Sequence, residues 1–72
     1  MFEVSVCAKS ESAPWQVYVW KADDDCEIYE ATAEGLLQAT YHNLEHGSKR
    51  LAEIVRTFHY AIHKNAMERR AA

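Results

Sequence analysis

The fold is decided by residues 15–37, WQVYVWKADDDCEIYEATAEGLL, where one hydrophobic period gives way to another. Apolar and polar side chains alternate from Trp15 to Lys21, and β-branched and aromatic residues are frequent there, as in strands with one buried face. A shorter and weaker alternation follows in residues 26–31. After Thr32 the apolar side chains recur every three or four residues, which is the period of a helix. The stretch therefore predicts two strands followed directly by a helix.

A further strand precedes this stretch, because residues 2–8 also alternate between apolar and polar side chains. The polar segment 10–14 ends in a proline that would interrupt a ladder of hydrogen bonds, so we place a turn there. The acidic segment 22–25 forms the second turn. Three consecutive strands joined by short turns predict an antiparallel β-meander over residues 2–31.

Two helices follow the predicted meander, over residues 33–46 and 49–68. Thr32 can cap the first, because its hydroxyl can accept a hydrogen bond from a free amide of the first turn. Gly47 separates the helices, since glycine readily adopts the left-handed conformation that closes a helix. The alternative is one long helix that holds this glycine inside it, where glycine destabilises the helix by about 1 kcal/mol relative to alanine. The predicted apolar stripes are Ala33, Leu36, Leu37, Thr40, Tyr41 and Leu44 in the first helix, and Leu51, Ile54, Val55, Phe58 and Ile62 in the second.

These elements predict a single α+β domain over residues 1–72, in which a three-stranded antiparallel β-meander is followed by two α-helices packed on one face of the sheet (βββαα). The core of so short a chain is thin, because a domain of about 60 residues buries only about 60% of its unfolded surface. A homodimer would enlarge it, especially if Tyr60 and Met67, opposite the apolar stripe of the second helix, meet a partner. The predicted core is Val4, Val6, Val17, Val19, Ile28, Leu37, Leu44, Leu51, Ile54, Val55, Phe58 and Ile62.

The amino-acid composition limits the classes of protein to which this chain can belong. Hydrophobic residues make up 49% of the chain, with two glycines and one proline, which excludes a disordered segment. Cys7 and Cys26 are too few for a disulfide framework, and we expect both to be reduced. Residues 1–8 lack a positively charged leader, and no apolar run approaches the roughly 20 residues that span a bilayer. We therefore expect a soluble, cytoplasmic protein.

Charge is divided unevenly along the chain. Residues 1–34 hold eight acidic side chains against Lys9 and Lys21, a balance of −6, and residues 35–72 hold three acidic against six basic ones, a balance of +3, which together give −3. The predicted sheet is therefore acidic and the helical half mildly basic. Such asymmetry bears on partners and association rates rather than on fold.

The outer face of the predicted sheet is the main candidate site. If Val17 and Val19 point inward, Tyr18 and Trp20 point outward, and Tyr29 of the third strand is expected to join them. Aromatic side chains are favoured anchors of protein interfaces. They also stack nucleic-acid bases, but the neighbouring carboxylates would repel phosphates. The remaining alternative is that a loop, a tail or a second subunit covers these aromatics, or that they merely shield the strand backbone.

We therefore predict a small non-enzymatic protein-interaction module that docks on a larger basic protein or nucleoprotein complex. The predicted partner-binding residues are Tyr18, Trp20, Tyr29, Asp23, Asp24, Asp25 and Glu27. By analogy of size and charge alone, its role would be that of an inhibitor of a nucleoprotein machine, of the anti-CRISPR or anti-restriction type encoded by phages and mobile elements. Neither a membrane nor direct nucleic-acid contact is expected.

The alternative function is a small dimeric DNA- or RNA-binding regulator that uses the basic second helix. Such a protein would contact phosphates through positively charged side chains. The basic residues of this helix are Lys49, Arg50, Arg56, Lys64, Arg69 and Arg70.

Metal binding and catalysis have less support. The pairs His42/His46 and His59/His63 stand at i and i+4, a spacing that lets two imidazoles share one metal ion. Helical phase places the first pair away from the apolar stripe, so we expect exposed rings and at most adventitious metal binding. A cysteine and a histidine would form a nucleophile and base only if the fold brought them together. We predict no catalytic residue, no metal site, no cofactor and no enzymatic activity.

Overall fold

The computed structural model describes the backbone of residues 1–71 and the side chains of residues 1–68. In chain order its elements are β1 (Glu3–Cys7), β2 (Gln16–Ala22), β3 (Asp25–Glu30), α1 (Ala33–His42), a 3₁₀ turn (Leu44–His46) and α2 (Ser48–Ala71). The strands form an antiparallel sheet in the order β1-β2-β3. The predicted α+β class, a β-meander followed by two helices, is therefore confirmed. Within residues 1–71 no helix has the length and apolar content that crossing a membrane requires.

The two helices are separate, as predicted, but the first is shorter than the predicted 33–46. Its N-terminus is capped by Thr32, whose side-chain oxygen accepts from the Gly35 amide at 3.0 Å. Its C-terminus is set by Asn43, which leaves helical geometry while its side chain donates to the Ala39 carbonyl at 2.8 Å. A 3₁₀ turn then leads to Gly47, whose φ of 92° is a conformation that favours glycine. One continuous helix through Gly47 is thereby excluded.

A β-bulge in β2 decides which face β3 presents. The hairpin closes with Ala22 opposite Asp25, but the register shifts between Trp20 and Ala22, so that Trp20 lies opposite Cys26. One extra residue in a strand moves every side chain of its partner to the other face. Tyr29 therefore pairs with Val17 on the inner face.

The predicted orientation of β3, with Ile28 inside and Tyr29 outside, is wrong for this reason. Tyr29 is buried among the core residues, whereas Ile28 pairs with Tyr18 on the outer face and is 51% exposed. An unbulged hairpin with the same closing pair would have placed Val19 opposite Ile28 and thus buried that isoleucine. The bulge exchanges an isoleucine for the larger tyrosine in the core.

The core lies between the inner sheet face and the two helices. Its buried members are Val17, Val19, Tyr29, Ala31, Ala39, Ile54, Phe58 and Ala61, with Phe2, Val4, Val6, Leu36, Leu51 and Ile62 packed around them. The predicted stripe of the second helix agrees with this core, apart from Val55, which is half-buried but is not among the residues packed around it. Burial of side chains of this size contributes roughly 1.5–3 kcal/mol each before conformational entropy is subtracted.

The predicted core residues of the first helix and its turn are wrong, since Leu37 and Leu44 are exposed. The helix instead turns Gly35 and Ala39 inward. A Cβ at Gly35 would overlap the Glu30 carbonyl oxygen, so the backbone of α1 lies directly against the end of β3. This close approach fixes the rotation of the helix, which packs Leu36 against the core and leaves Leu37 and Tyr41 outside.

Candidate protein-interaction surface

The outer face of the sheet carries nine side chains in three cross-strand rows. Trp20 lies between Glu3 and Cys26, and Tyr18 lies between Ser5 and Ile28. The third row is Cys7, Gln16 and Glu30. We call these nine residues the open sheet face, because both helices pack on the opposite side, around Val17 and Val19.

The apolar centre of the open sheet face consists of Tyr18, Trp20 and Ile28. The two aromatic side chains are half-buried by their neighbours within the sheet, and Ile28 is exposed. Directly paired aromatic and β-branched side chains, as in Tyr18 and Ile28, stabilise one another across strands. They also form a continuous apolar area, which is the usual centre of a protein interface.

Carboxylates border this apolar centre. Asp23, Asp24 and Asp25 are exposed at the β2–β3 turn, close to the row that contains Trp20. Glu3 and Glu30 are exposed on the two outer strands. The border is therefore negative at the turn and along both edges of the sheet.

The pKa of the Cys26 thiol is raised by burial and by the neighbouring carboxylates. Burial is the larger cause, followed by the charges of Asp25 and Glu27. A thiol held in its protonated form is a poor nucleophile. The thiols of Cys7 and Cys26 both point to the backbone carbonyl of the next residue, so neither is poised against a histidine base within the described residues.

Of the predicted partner-binding residues, Tyr18 and Trp20 belong to the open sheet face and the three aspartates lie at its border, whereas Tyr29 and Glu27 lie on the inner face of the sheet. Both point inward, because the bulge reverses β3. The Tyr29 hydroxyl donates to Glu27 Oε1 at 2.8 Å, and Lys21 Nζ lies 3.1 Å from Glu27 Oε2. The Asn43 side-chain amide donates to the same Glu27 Oε1 at 3.4 Å. These residues form a polar network that fastens the C-terminal end of α1 to β2 and β3.

The network shifts the pKa values of Glu27 and Tyr29 in opposite directions. Partial burial opposes ionisation of Glu27, but hydrogen bonds from Tyr29 and Lys21 and the charge of Lys21 hold the pKa of Glu27 below its ordinary value. Burial, and then the hydrogen bond to the Glu27 carboxylate, raise the pKa of the Tyr29 phenol far above its ordinary value. Since Tyr29 gives its one hydrogen to Glu27, His42 Nδ1, 3.0 Å from the hydroxyl, is the donor in their contact.

The end of α1 separates one histidine pair, whereas the other pair lies on the continuous helix α2. His42 ends α1 beside Tyr29, whereas His46 lies in the 3₁₀ turn against the Phe2 ring, with ring centroids 5.8 Å apart. The helical i, i+4 geometry needed for shared metal ligation is lost between them. His59 and His63 are both exposed on α2. In the part of the chain that the structure describes, three or more metal-ligating side chains nowhere come together.

The basic residues of α2 are dispersed. Arg50 stacks over the Phe2 ring, 4.7 Å from its centroid, and Lys64 over the Trp15 ring at 4.6 Å. Lys49 and Arg56 are exposed, one at the start of the helix and one two turns later. The side chains of Arg69 and Arg70 lie outside the described residues. Two of the predicted phosphate-binding side chains therefore pack on aromatic rings of this chain.

An exposed apolar strip at α1 was not predicted from the sequence. Leu37 and Tyr41 on α1 and Leu44 in the 3₁₀ turn are 69%, 73% and 60% exposed. Together with Gln38, Thr40 and His42 they line a shallow groove. The pair Gly35 and Ala39, spaced i and i+4, could have indicated this strip. Small residues mark the face through which a helix approaches its neighbours closely, so the larger residues lie on the other face.

The chain matches no protein-family model, no curated protein and no solved structure. The side chains and surfaces described above are therefore the basis for a functional proposal.

Proposed function

We propose that this protein is a non-enzymatic interaction module that binds a basic surface of a larger protein or nucleoprotein complex through its open sheet face. The observation that carries the proposal is the apolar centre of Tyr18, Trp20 and Ile28, which no helix covers within the described residues and which acidic side chains border.

The arrangement resembles the anatomy of specific interfaces. Hot spots are enriched in tryptophan and tyrosine and lie near the centre of a patch, with a polar rim that excludes water. Here Trp20 and Tyr18 stand on the central strand, and the charged residues stand at the turn and the edges. The interaction energy would come from the centre, whereas the rim would select the partner and orient it.

The sign of the rim indicates the chemistry of the partner. Asp23, Asp24 and Asp25 project from one end of the face and would attract lysine and arginine side chains. The surfaces of proteins that hold nucleic acid have this positive character. We therefore propose an inhibitor that occupies such a surface; the anti-CRISPR or anti-restriction role is the form of this proposal that size and charge favour.

The potentially reactive side chains among the described residues lie in settings that do not activate them. The Cys26 thiol has a raised pKa, and the Tyr29–Glu27 pair is enclosed in a structural network. Nucleophilic catalysis needs an activated group beside a base that can accept its proton. Neither the open sheet face nor the network provides this combination among the described residues.

The test is capture from a lysate of the source cells, followed by titration calorimetry with the captured partner. Nuclease is added during capture, and Trp20→Ala is compared with wild type. Tyr60→Ala is the matched control, because it removes an exposed aromatic from α2 and leaves the sheet intact. We expect Trp20→Ala to weaken binding by at least about 30-fold, the effect of removing a hot spot, and Tyr60→Ala to leave affinity unchanged.

Charge reversal at the turn provides a second readout. Asp24→Lys should slow association and reduce its salt dependence with little effect on dissociation, because rim charges act mainly on the encounter. Unchanged affinity in Trp20→Ala would contradict the proposal. Loss of all captured material on nuclease treatment would also contradict it, and would favour direct nucleic-acid binding through Lys49 and Arg56.

A further inference from the structure

The two edge strands of the sheet are protected to different degrees. β3 contains Asp25, Glu27 and Glu30 among its six residues, and α1 lies against its end at Gly35. β1 contains one charged residue, Glu3, among five, has no proline and keeps an unbroken register with β2. Charged residues, proline, bulges and a covering element are the means by which proteins keep an edge strand from pairing with another chain. β1 is therefore the less protected edge.

β1 is also incompletely covered. Among the strands and helices of the described residues it contacts β2 and α2, and its other edge leaves backbone donors and acceptors without a strand to pair with. Its inward side chains Val4 and Val6 are half-buried, whereas Val17 and Val19 of the central strand are fully buried. A strand added at this edge would pair those backbone groups and extend the apolar core.

We infer that β1 pairs in antiparallel orientation with β1 of a second copy, with Val6 on the two-fold axis, so that two three-stranded sheets join into one sheet of six strands. This inference does not depend on the proposed function, because the contact lies at the edge of the sheet and leaves the open sheet face uncovered. The helices of both copies lie on one side of the joined sheet, and the two open sheet faces lie next to each other on the other side.

The charges of β1 identify a second copy as the added strand. A two-fold axis perpendicular to the sheet keeps like faces together, so inward residues of one copy lie opposite inward residues of the other. With Val6 on that axis, Glu3 of each copy lies opposite Lys9 of the other. Val4 then lies opposite Ala8, which keeps the inner side apolar. Glu3 and Lys9 are both exposed, and neither forms an ion pair among the described residues.

Other registers lack this complementarity. Moving the axis back along the strand places Glu3 opposite an uncharged residue, and moving it to Cys7 places Glu3 opposite Glu11. Like charges directly opposite each other destabilise a pair of strands. Glu11 itself stands in the turn after β1, where it lines a hollow with Glu68 beside the end of α2. Among the registers with their axis inside β1, the one centred on Val6 is alone in pairing opposite charges.

Sedimentation velocity on the full chain in low salt tests the dimer, over concentrations from about 1 µM to about 1 mM, which span weak association. We expect the wild-type mass to rise from that of one chain toward that of two. Glu3→Lys and Lys9→Glu should each weaken the dimer roughly tenfold, because each replaces two attractive contacts by two repulsive ones. The double variant Glu3→Lys/Lys9→Glu restores both pairs with their signs exchanged and should dimerise as wild type does.

Two comparisons isolate the contact from net charge. Glu34→Lys and Lys49→Glu make the same changes of charge at exposed positions on the helices and should leave the dimer unchanged. An equal mixture of Glu3→Lys and Lys9→Glu chains should form mixed dimers in preference to either pure dimer, because every charged position then faces the opposite charge again.

A disulfide trap tests the register. In a Cys7→Ser/Cys26→Ser background, Val6→Cys places one thiol per chain on the expected axis, where opposite Cα atoms are about 4.5–5.5 Å apart. The matched control is Val4→Cys on the same face, whose copies would be separated by about 13 Å along the strands. A disulfide requires Cα atoms within about 7 Å, so oxidation should link Val6→Cys chains rapidly and Val4→Cys chains slowly. Circular dichroism establishes that each variant is folded.

Three results would overturn the inference. Wild type could stay monomeric up to about 1 mM, which would leave the β1 edge to a different chain. Wild type could dimerise while Glu3→Lys and Lys9→Glu have no effect, which would place the contact elsewhere. Equal disulfide yields at positions 4 and 6 would contradict the register centred on Val6.

Discussion

The two helices pack on the same sheet but are held there in different ways. Helix α2 inserts large apolar side chains, above all Ile54 and Phe58, which are fully buried. Helix α1 approaches through Gly35 and Ala39 and is fastened at its C-terminal end by the Glu27 network. One helix therefore uses its large apolar residues for the core, and the other leaves most of its own outside.

This difference shows how a short chain can keep apolar surface available for partners. A helix that packs through small residues needs little side-chain volume at the contact, because its backbone lies close to its neighbours. Its large apolar residues can then serve an external contact. The inner face of α1 thus contributes to stability while Leu37 and Tyr41 on its outer face stay exposed, whereas α2 buries Ile54 and Phe58 in the core.

The largest effect should come from the core side of α2. Phe58→Ala removes a fully buried aromatic that also contacts Tyr29, with ring centroids 6.3 Å apart. Substitutions of this kind destabilise proteins by about 3–5 kcal/mol, which is much of the stability of a small domain. Urea unfolding followed by circular dichroism should show loss of most of the folded population. A decrease below about 1 kcal/mol would contradict this role of α2.

The close approach of α1 predicts a smaller but clear effect. Gly35→Ala normally favours a helix by about 1 kcal/mol. Here the added Cβ would overlap the Glu30 carbonyl oxygen and crowd Phe58 Cε2 at 3.3 Å. We expect a net loss of about 1–3 kcal/mol in the free energy of unfolding, as is typical of overpacking. A stabilised variant would show that α1 stands further from β3.

The polar network predicts a pH dependence specific to the attachment of α1. Because the pKa of Glu27 is lower in the folded state, its contribution to stability is present above the ordinary carboxyl pKa and is lost as pH falls through the folded value. Glu27→Gln should therefore be less stable than wild type by about 1 kcal/mol near neutral pH. The difference should shrink as pH falls below the ordinary carboxyl pKa and through the lower folded value.

The control for this prediction is Glu30→Gln, which neutralises an exposed carboxylate on the same strand. Its difference from wild type should be small and nearly independent of pH. Amide hydrogen exchange would locate the effect, since Glu27→Gln should speed exchange at the end of α1 more than in the middle of α2. A pH-independent difference for Glu27→Gln would contradict an ionised Glu27 in the network.

The smallest effect is expected on the outer side of α1. Leu37→Ala should change the free energy of unfolding of the dilute monomer by no more than about 0.5 kcal/mol, because the side chain is exposed. The matched variant Ile54→Ala truncates a buried side chain of α2 and should cost about 2–5 kcal/mol. Similar losses in both variants would mean that α1 turns its leucines inward as α2 does.

The order and type of the elements could be predicted from the sequence, because alternation, the Thr32 cap and Gly47 are all local signals. The face of β3 could not be predicted in this way. A single bulged residue at Lys21 reverses it, and two registers of the hairpin look equally regular in the sequence. The rotation of α1 was also mispredicted, because the hydrophobic period favours its larger stripe and takes no account of how closely Gly35 approaches β3.

The candidate site was predicted in part for the same reasons. Tyr18, Trp20, Asp23 and Asp24 lie where the pattern of β2 and its turn places them. Tyr29 and Glu27 were assigned to the wrong face along with the rest of β3, and Ile28 takes the place of Tyr29. Only the register of the hairpin distinguishes these two sets, and that register depends on contacts distant in sequence.

The most direct test of this account is hydroxyl-radical labelling of the tyrosines in wild-type protein, at about 1 µM so that the chains are dilute. Tyr41 is 73% exposed and Tyr29 is 7% exposed, and both carry the same reactive ring. We expect rapid labelling of Tyr41 and strong protection of Tyr29, and unfolding in urea should remove that protection. If Tyr29 were labelled as fast as Tyr41, both the register of β3 and the composition of the open sheet face would be wrong.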